Sequence, residues 1–260
     1  MEYIRFERNL ATICAERRRN DNAIELEHSI LNRVKGLYEA STKRFHNNER
    51  LWDNYFMFLC KTNCDKTEMS NMLDRMLVTH PYNPATWLKY SKWERNANQD
   101  VTKAKNLITR GIQNHPKCIQ LYIELLNIET VNLDLADDED QPIILDRITK
   151  VYEAARNALP GIESCIAVLD EISNSHLTIS LQHQIIKDMQ ERYSDNELYF
   201  HIIAQREFDG RSVSRMSEKS PYTFRERIEN GASVYRMAVK EVIFIYLVFD
   251  RINFRLEQLL

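Results

Sequence analysis

Apolar residues return along this chain at three- and four-residue steps, the spacing of one helix face. Between 84 and 96 the stripe is Trp87, Tyr90, Ser91, Trp93 and Glu94; between 101 and 114 it is Ala104, Leu107, Ile108, Gly111 and Ile112. The first stretch predicts a helix A from about Pro84 to Asn96, because a proline gives up no hydrogen bond in a first helical turn. The second predicts a helix B from about Val101 to Asn114, with Gly111 where two backbones approach. Ala40, Ala155 and Ala238 take the same small position in other units, and Met76 is the exception. An aromatic followed seven positions later by glutamate recurs at Trp87 and Glu94, Tyr122 and Glu129, and Phe200 and Glu207. A B helix closes on a proline at Pro81, Pro116 and Pro160, where the residue before the ring is pushed out of helical geometry. Trp52, Trp87 and Tyr122 stand 35 residues apart, as do Pro81 and Pro116.

A constant period in this range predicts an all-α solenoid of stacked antiparallel helix pairs. Over residues 1–241 the frame predicts six units, 3–46, 51–81, 86–116, 120–160, 162–195 and 198–241, followed by an atypical apolar tail at 242–260. The residues that define the repeat are Trp52, Tyr55, Pro81, Trp87, Tyr90, Trp93, Glu94, Gly111, Pro116, Tyr122, Glu129, Tyr152, Ala155, Pro160, Phe200 and Glu207. The fifth unit keeps apolar spacing but lacks the aromatic-to-glutamate frame. Two insertions break the period. Pro116 to Pro160 is 44 residues, and the excess predicts an acidic loop over Asp134 to Pro142. A second loop, rich in serine, is predicted from about Asp209 to Asn230.

Composition agrees with helices. Only 5 glycines and 6 prolines occur in 260 residues, and 43% of the chain is hydrophobic, enough for a continuous core. A net charge of −3 excludes a surface that grips nucleic acid throughout, although a local basic patch fits. Five scattered cysteines are no disulfide framework and imply a reducing compartment. Cys60 and Cys64 are spaced to share a helix face, but no second ligand pair accompanies them, so reduced thiols in a helical core are expected and no metal. The apolar run Val242 to Phe249 is eight residues, too short for the roughly 20 that span a bilayer, so no membrane partner is expected.

No nucleotide-binding, hydrolase or metalloprotease signature occurs, so no catalytic residue, cofactor or small-molecule substrate is expected. His80 and His115 recur in register before a proline, and Glu94, Glu129 and Glu207 recur likewise. A catalytic group is needed once; a group repeated in every unit belongs to the scaffold. The aromatics Trp52, Trp87, Trp93, Tyr122 and Phe200 belong to the same stripe and are expected in the core. Arg17, Arg18 and Arg19 form the one basic triplet, and two readings stand: a phosphate-contacting patch for RNA, or cations at an exposed helix end.

The W-x-x-Y-x-x-x-E frame with its proline-closed B helix resembles the half-a-TPR (HAT) repeat, a family of RNA-processing factors. Arg17-Arg18-Arg19, the stretch Glu27 to Ser41, and Leu51-Trp52-Asp53-Asn54-Tyr55 are similar in order to the U3 small nucleolar RNA-associated protein 6 family. Pro84 to Trp87, Lys92-Trp93-Glu94 and His115 to Cys118 fit it as well. The resemblance implies a nucleolar, non-catalytic scaffold of the small-subunit processome, in the UtpB subcomplex with propeller-containing subunits. It implies association with the U3 snoRNP and pre-rRNA, and support of 18S rRNA maturation. That family carries a leader upstream of the first repeat and further units in place of 242–260, so the resemblance implies a form shortened at both ends. A HAT scaffold in pre-mRNA splicing or 3′-end processing, and a direct RNA-binding module working through Arg17 to Arg19, are the alternatives.

Overall fold

The computed structural model describes residues 2–16, 21–62, 64–211 and 223–257. Among them there are helices and no strands. The chain divides into two compact units, Met1–His115 and Pro116–Leu260. The first holds α1 (Glu2–Glu16), α2 (Asp21–Arg44), α3 (Glu49–Lys61), α4 (Lys66–Thr79), α5 (Pro84–Trp93) and α6 (Val101–Asn114). The second holds α7 (Ile119–Leu135), α8 (Gln141–Ala158), α9 (Ile162–Ile172), α10 (Ile179–Tyr193), α11 (Glu197–Phe208) and α12 (Phe224–Glu257). Each unit is all-α and built of stacked helix pairs, as a HAT/TPR-like solenoid requires.

The pairing of α5 with α6 shows how the sequence makes a unit. Asn83 caps α5, its side chain accepting from the Ala85 N–H, and Pro84 fills the first turn. Asp100 caps α6 by accepting from Lys103 N–H. Across the pair Trp87 faces Arg110, Ser91 donates to the carbonyl of Ala104 at 3.2 Å, and Glu94 meets Lys103. As the number rises on one helix it falls on the other, so the two are antiparallel. Trp87, Tyr90, Ala104, Leu107 and Ile108 are buried between them. At about 25 cal/mol per Å² of apolar surface, and roughly 1.5–3 kcal/mol per large side chain, such a stripe is what holds the pair closed. The B helices α4, α6 and α8 end at Thr79, Asn114 and Ala158, each just short of its proline.

Several boundaries differ from the expectation. Helix A of this pair does not stay α-helical to Asn96: it widens at Glu94–Asn98 into a π-helical segment that closes on Gln99, whose φ is 63°. The nine extra residues after Pro116 do not make a loop over 134–142. The connection is 136–140, and Pro142 lies in the first turn of α8. Most of the excess lengthens the two helices, and the rest lengthens the connection between them. The second polar insertion also ends early, because α12 begins at Phe224 rather than after Asn230. A capping box explains the start: the Glu226 carboxylate accepts from Thr223 N–H at 2.8 Å, while Thr223 Oγ1 accepts from Glu226 N–H at 3.3 Å. Residues 212–222 lie outside the described residues.

Cys60 and Cys64 do not share a helix face, since α3 stops at Lys61, where Thr62 Oγ1 bonds the Phe58 carbonyl. Cys60 is exposed and Cys165 buried, so the thiols are not uniformly in the core. Ala40 is exposed and does not hold the small position of Gly111; the residue five before the closing position of that unit is Ser41, half-buried. The apolar run 242–249 lies within α12, and its side chains fall outside the described residues.

Candidate interaction surface

The recurring residues meet in a repeated joint. In the first unit the carbonyl of His46 accepts from Trp52 Nε1 at 2.8 Å and meets His80 Nε2 at 2.9 Å. Thirty-five residues on, the carbonyl of Pro81 accepts from Trp87 Nε1 at 3.0 Å and meets His115 Nε2 at 2.8 Å. These carbonyls sit in the turns two residues past the ends of α2 and α4, outside either helix ladder, so each takes its partners from elsewhere. Here these are an indole from the next A helix and an imidazole from the next B helix. Trp52 is 1% exposed and Trp87 3%. In the second unit Pro116 accepts from the Tyr122 hydroxyl at 3.1 Å, and Pro160 from Tyr193 at 3.2 Å. His80 and His115 thus occupy one structural position, which Tyr193 takes over before the closing Ser194.

Arginine completes two of these joints. The guanidinium of Arg75 lies 5.5 Å from the Trp52 ring and that of Arg110 lies 5.7 Å from Trp87. A cation over an indole face adds attraction beyond burial. The sequence reading missed this pair, although Arg75 and Arg110 stand one period apart. Trp93 is only half-buried, because it lies where the helix widens. Phe200 packs with Ala204 and Val234, and Ala238 lies against that cluster.

The glutamate of the frame is a buried anchor for helix B. Glu94 has no exposure and is held by Lys103 Nζ at 2.5 Å and Asn98 Nδ2 at 2.6 Å. Glu129, also buried, is held by Arg147 Nε at 3.2 Å. Carboxylate and cation are 9 residues apart in the first case and 18 in the second. The insertion is therefore absorbed between them, and the ion pair keeps its place. Glu7 meets Arg33 at 3.4 Å in α1 and α2. Glu207 is buried too. Burial alone works against the Lys103 charge, but its bond to Glu94 outweighs this and holds the ammonium above its usual range.

The repeat tyrosines hydrogen-bond sideways. Tyr90 donates to Asp74 at 2.7 Å, Tyr55 to Glu39 at 3.4 Å, and Tyr152 to Asp188 at 2.9 Å. Burial, followed by the neighbouring Glu39 charge, raises Tyr55; burial and the Asp188 bond raise Tyr152. These hydroxyls stay protonated and act as donors. Asp188 also takes Arg156 at 2.5 Å, and Ala155 beside it in sequence is buried in α8. A polar knot was not legible in the sequence: Arg206, buried in α11, donates to Ser173 Oγ at 2.9 Å and Gln182 Oε1 at 2.8 Å, joining α9, α10 and α11. Burial depresses its charged form.

These geometries build joints between helices. Among the described residues no group of three or more His, Cys, Asp or Glu is placed to hold a metal ion. No helix among the described residues is long and apolar enough to cross a membrane. Arg17, Arg18 and Arg19 lie outside the described residues. What remains open to a partner are the turns and outer helix faces.

Residues 60–163 match the family model described as PRP39 N-terminal HAT repeat. The chain is also similar to U3 small nucleolar RNA-associated protein 6 homolog of Homo sapiens and to that of Mus musculus, at 25% and 26% identity over 92% of its length. It spans 44% of the length of each of these relatives. With the aromatic-to-glutamate frame folded into buried joints and these matches along it, the chain is an all-α HAT-repeat protein similar to the U3 small nucleolar RNA-associated protein 6 homologs.

Proposed function

We propose that the chain is a non-catalytic scaffold of nucleolar pre-rRNA processing, supporting 18S rRNA maturation and small ribosomal subunit biogenesis. One observation carries the reading. The polar side chains that recur in register, His80, His115, Glu94 and Glu129, are committed to joints between helices, and this leaves turns and outer helix faces for assembly. The relatives' names, which associate them with U3 small nucleolar RNA, supply the pathway. In this reading six helix pairs, with boundaries near 46, 81, 116, 160 and 195, present surfaces to other processome proteins, among them propeller-containing subunits. U3 snoRNP and pre-rRNA are held in place through that assembly.

The test is purification of the tagged chain from cells, with quantification of the RNAs that come with it. Enrichment of U3 small nucleolar RNA over spliceosomal RNAs supports the reading; the reverse enrichment overturns it. The matching family model is named for PRP39, so a second reading keeps the same scaffold in splicing or 3′-end formation, and the same purification distinguishes the two.

A further inference from the structure

We propose that the turn edge around His46 is a contact site for single-stranded RNA; this rests on the pre-rRNA reading above and gives that scaffold a direct hold on its RNA. Residues 44–50 line an open concavity of about 690 Å³. A second, of about 350 Å³, shares His46 in its lining and is formed in part by Lys43, Arg75 and Val78. Both volumes fall in the range of roughly 300–1,000 Å³ that accommodates small ligands, so a nucleobase fits either.

Two rings stand uncovered at this edge. Phe45 is 56% exposed and Tyr82 90%. The contact of His80 Nε2 with the His46 carbonyl brings the turn after α4 against the turn after α2, so the rings occupy adjacent turns. Other aromatics of this unit, Trp52, Tyr55, Trp87 and Tyr90, are buried. The same edge carries Lys43, Arg44 and Arg50, all exposed. None of the three is in an ion pair among the described residues. Arg44 lies 5.6 Å from the Phe45 centroid, a cation–π contact that steadies a ring still 56% exposed. Of the nearby acids, Asp53 pairs with Lys89 and Asp74 accepts from Tyr90, while Glu49 stays 55% exposed on the concavity, 3.9 Å from His80. Three exposed cations, Lys43, Arg44 and Arg50, thus face the one exposed carboxylate of Glu49, a local positive excess on a chain whose net charge is −3.

Cations that follow a phosphodiester backbone, beside rings on which bases stack, are the two parts of a single-strand site. A duplex keeps its base faces stacked and offers the rings nothing. An acidic peptide would use the cations and leave both rings without a role.

The test is fluorescence anisotropy of the full chain with a labelled 12-nucleotide mixed-sequence RNA, its duplex, and a poly-glutamate peptide as competitor, across a salt series. The single strand is expected to bind, with the duplex and peptide competing poorly. Lys43→Ala with Arg50→Ala should flatten the salt slope by about 1.4, at roughly 0.7 per phosphate contact for single strands. Phe45→Ala with Tyr82→Ala should weaken binding roughly tenfold or more at every salt with the slope unchanged, while Phe45→Tyr with Tyr82→Phe keeps it. Circular dichroism checks that each variant is folded. The proposal is overturned if the wild-type chain does not bind, if both alanine pairs bind as it does, or if duplex or peptide competes equally. Loss of binding on replacing Arg17 to Arg19 alone, with the alanine pairs silent, also overturns it. Any of these with U3 RNA still co-purifying from cells leaves the scaffold reading standing; absence of U3 RNA from that purification removes the scaffold reading itself.

Discussion

Replacing either partner of the Glu94–Lys103 pair should destabilise the first unit, and by unequal amounts. The carboxylate of Glu94 has no solvent access, whereas the Lys103 side chain is 38% exposed. Lys103→Met strands a buried charge that keeps Asn98 and Ser70 but loses its cation. Stranding one member of a buried pair costs about 3–5 kcal/mol, and solvent screening at the exposed lysine places this case near 3. Glu94→Gln frees an ammonium that can turn to water, so the loss is about 1–2 kcal/mol. The double variant should cost less than the sum, with a coupling of about 1.5 kcal/mol. Urea unfolding followed by circular dichroism measures all three. The raised folded-state pKa of Lys103 fixes the pH dependence. Its contribution is complete below the ordinary lysine value of 10.5 and is lost as pH rises through the folded value. The Lys103→Met difference should therefore be flat between pH 7 and 9. If Glu94→Gln proves the costlier change, or if the two changes simply add, then the glutamate of the repeat frame is not an anchor for helix B.

Trp52→Phe and Trp87→Phe should each lose about 1–3 kcal/mol, because each removes one hydrogen bond and trims a buried ring; closely matched losses in urea titrations are expected, and a silent variant would argue against the joint. Arg206→Ala should cost the second unit about 3 kcal/mol by leaving Gln182 and Ser173 without their donor, and Arg206→Lys should rescue little, since an ammonium cannot span both partners; a loss under about 1 kcal/mol would contradict this. Thr223→Ala should cost about 1 kcal/mol and speed amide exchange over the first turn of α12, whereas unchanged exchange would remove the capping box.

Much of the fold is readable in the chain because the same physical problem recurs. The turns after α2 and α4 each present a carbonyl that needs a donor, and tryptophan six residues beyond His46 or Pro81 supplies one. Where the marker residue is missing, the reading slips. His46 is not a proline, so the first unit lacks its stop signal, and its sequence points to Ala40 for the small position where the structure has Ser41. The excess of nine residues before Pro160 reads as a loop because it is acidic. The spacing of Glu129 and Arg147 shows that both helices grow while their ion pair is retained. The T-x-x-E box at 223–226 was a local signal that could have placed the start of α12. The exposed rings at 45 and 82 and the knot around Arg206 had none, since exposure and burial depend on which turns the stacking brings together.

The central claim, that in-register aromatics close the joints between helix pairs, is tested most directly by hydrogen exchange at the three indole N–H groups. The Trp52 and Trp87 indoles each donate to a closing carbonyl, whereas that of Trp93 makes no hydrogen bond among the described residues. The account predicts slow exchange at Trp52 and Trp87 and fast exchange at Trp93; equally fast exchange at all three would contradict it.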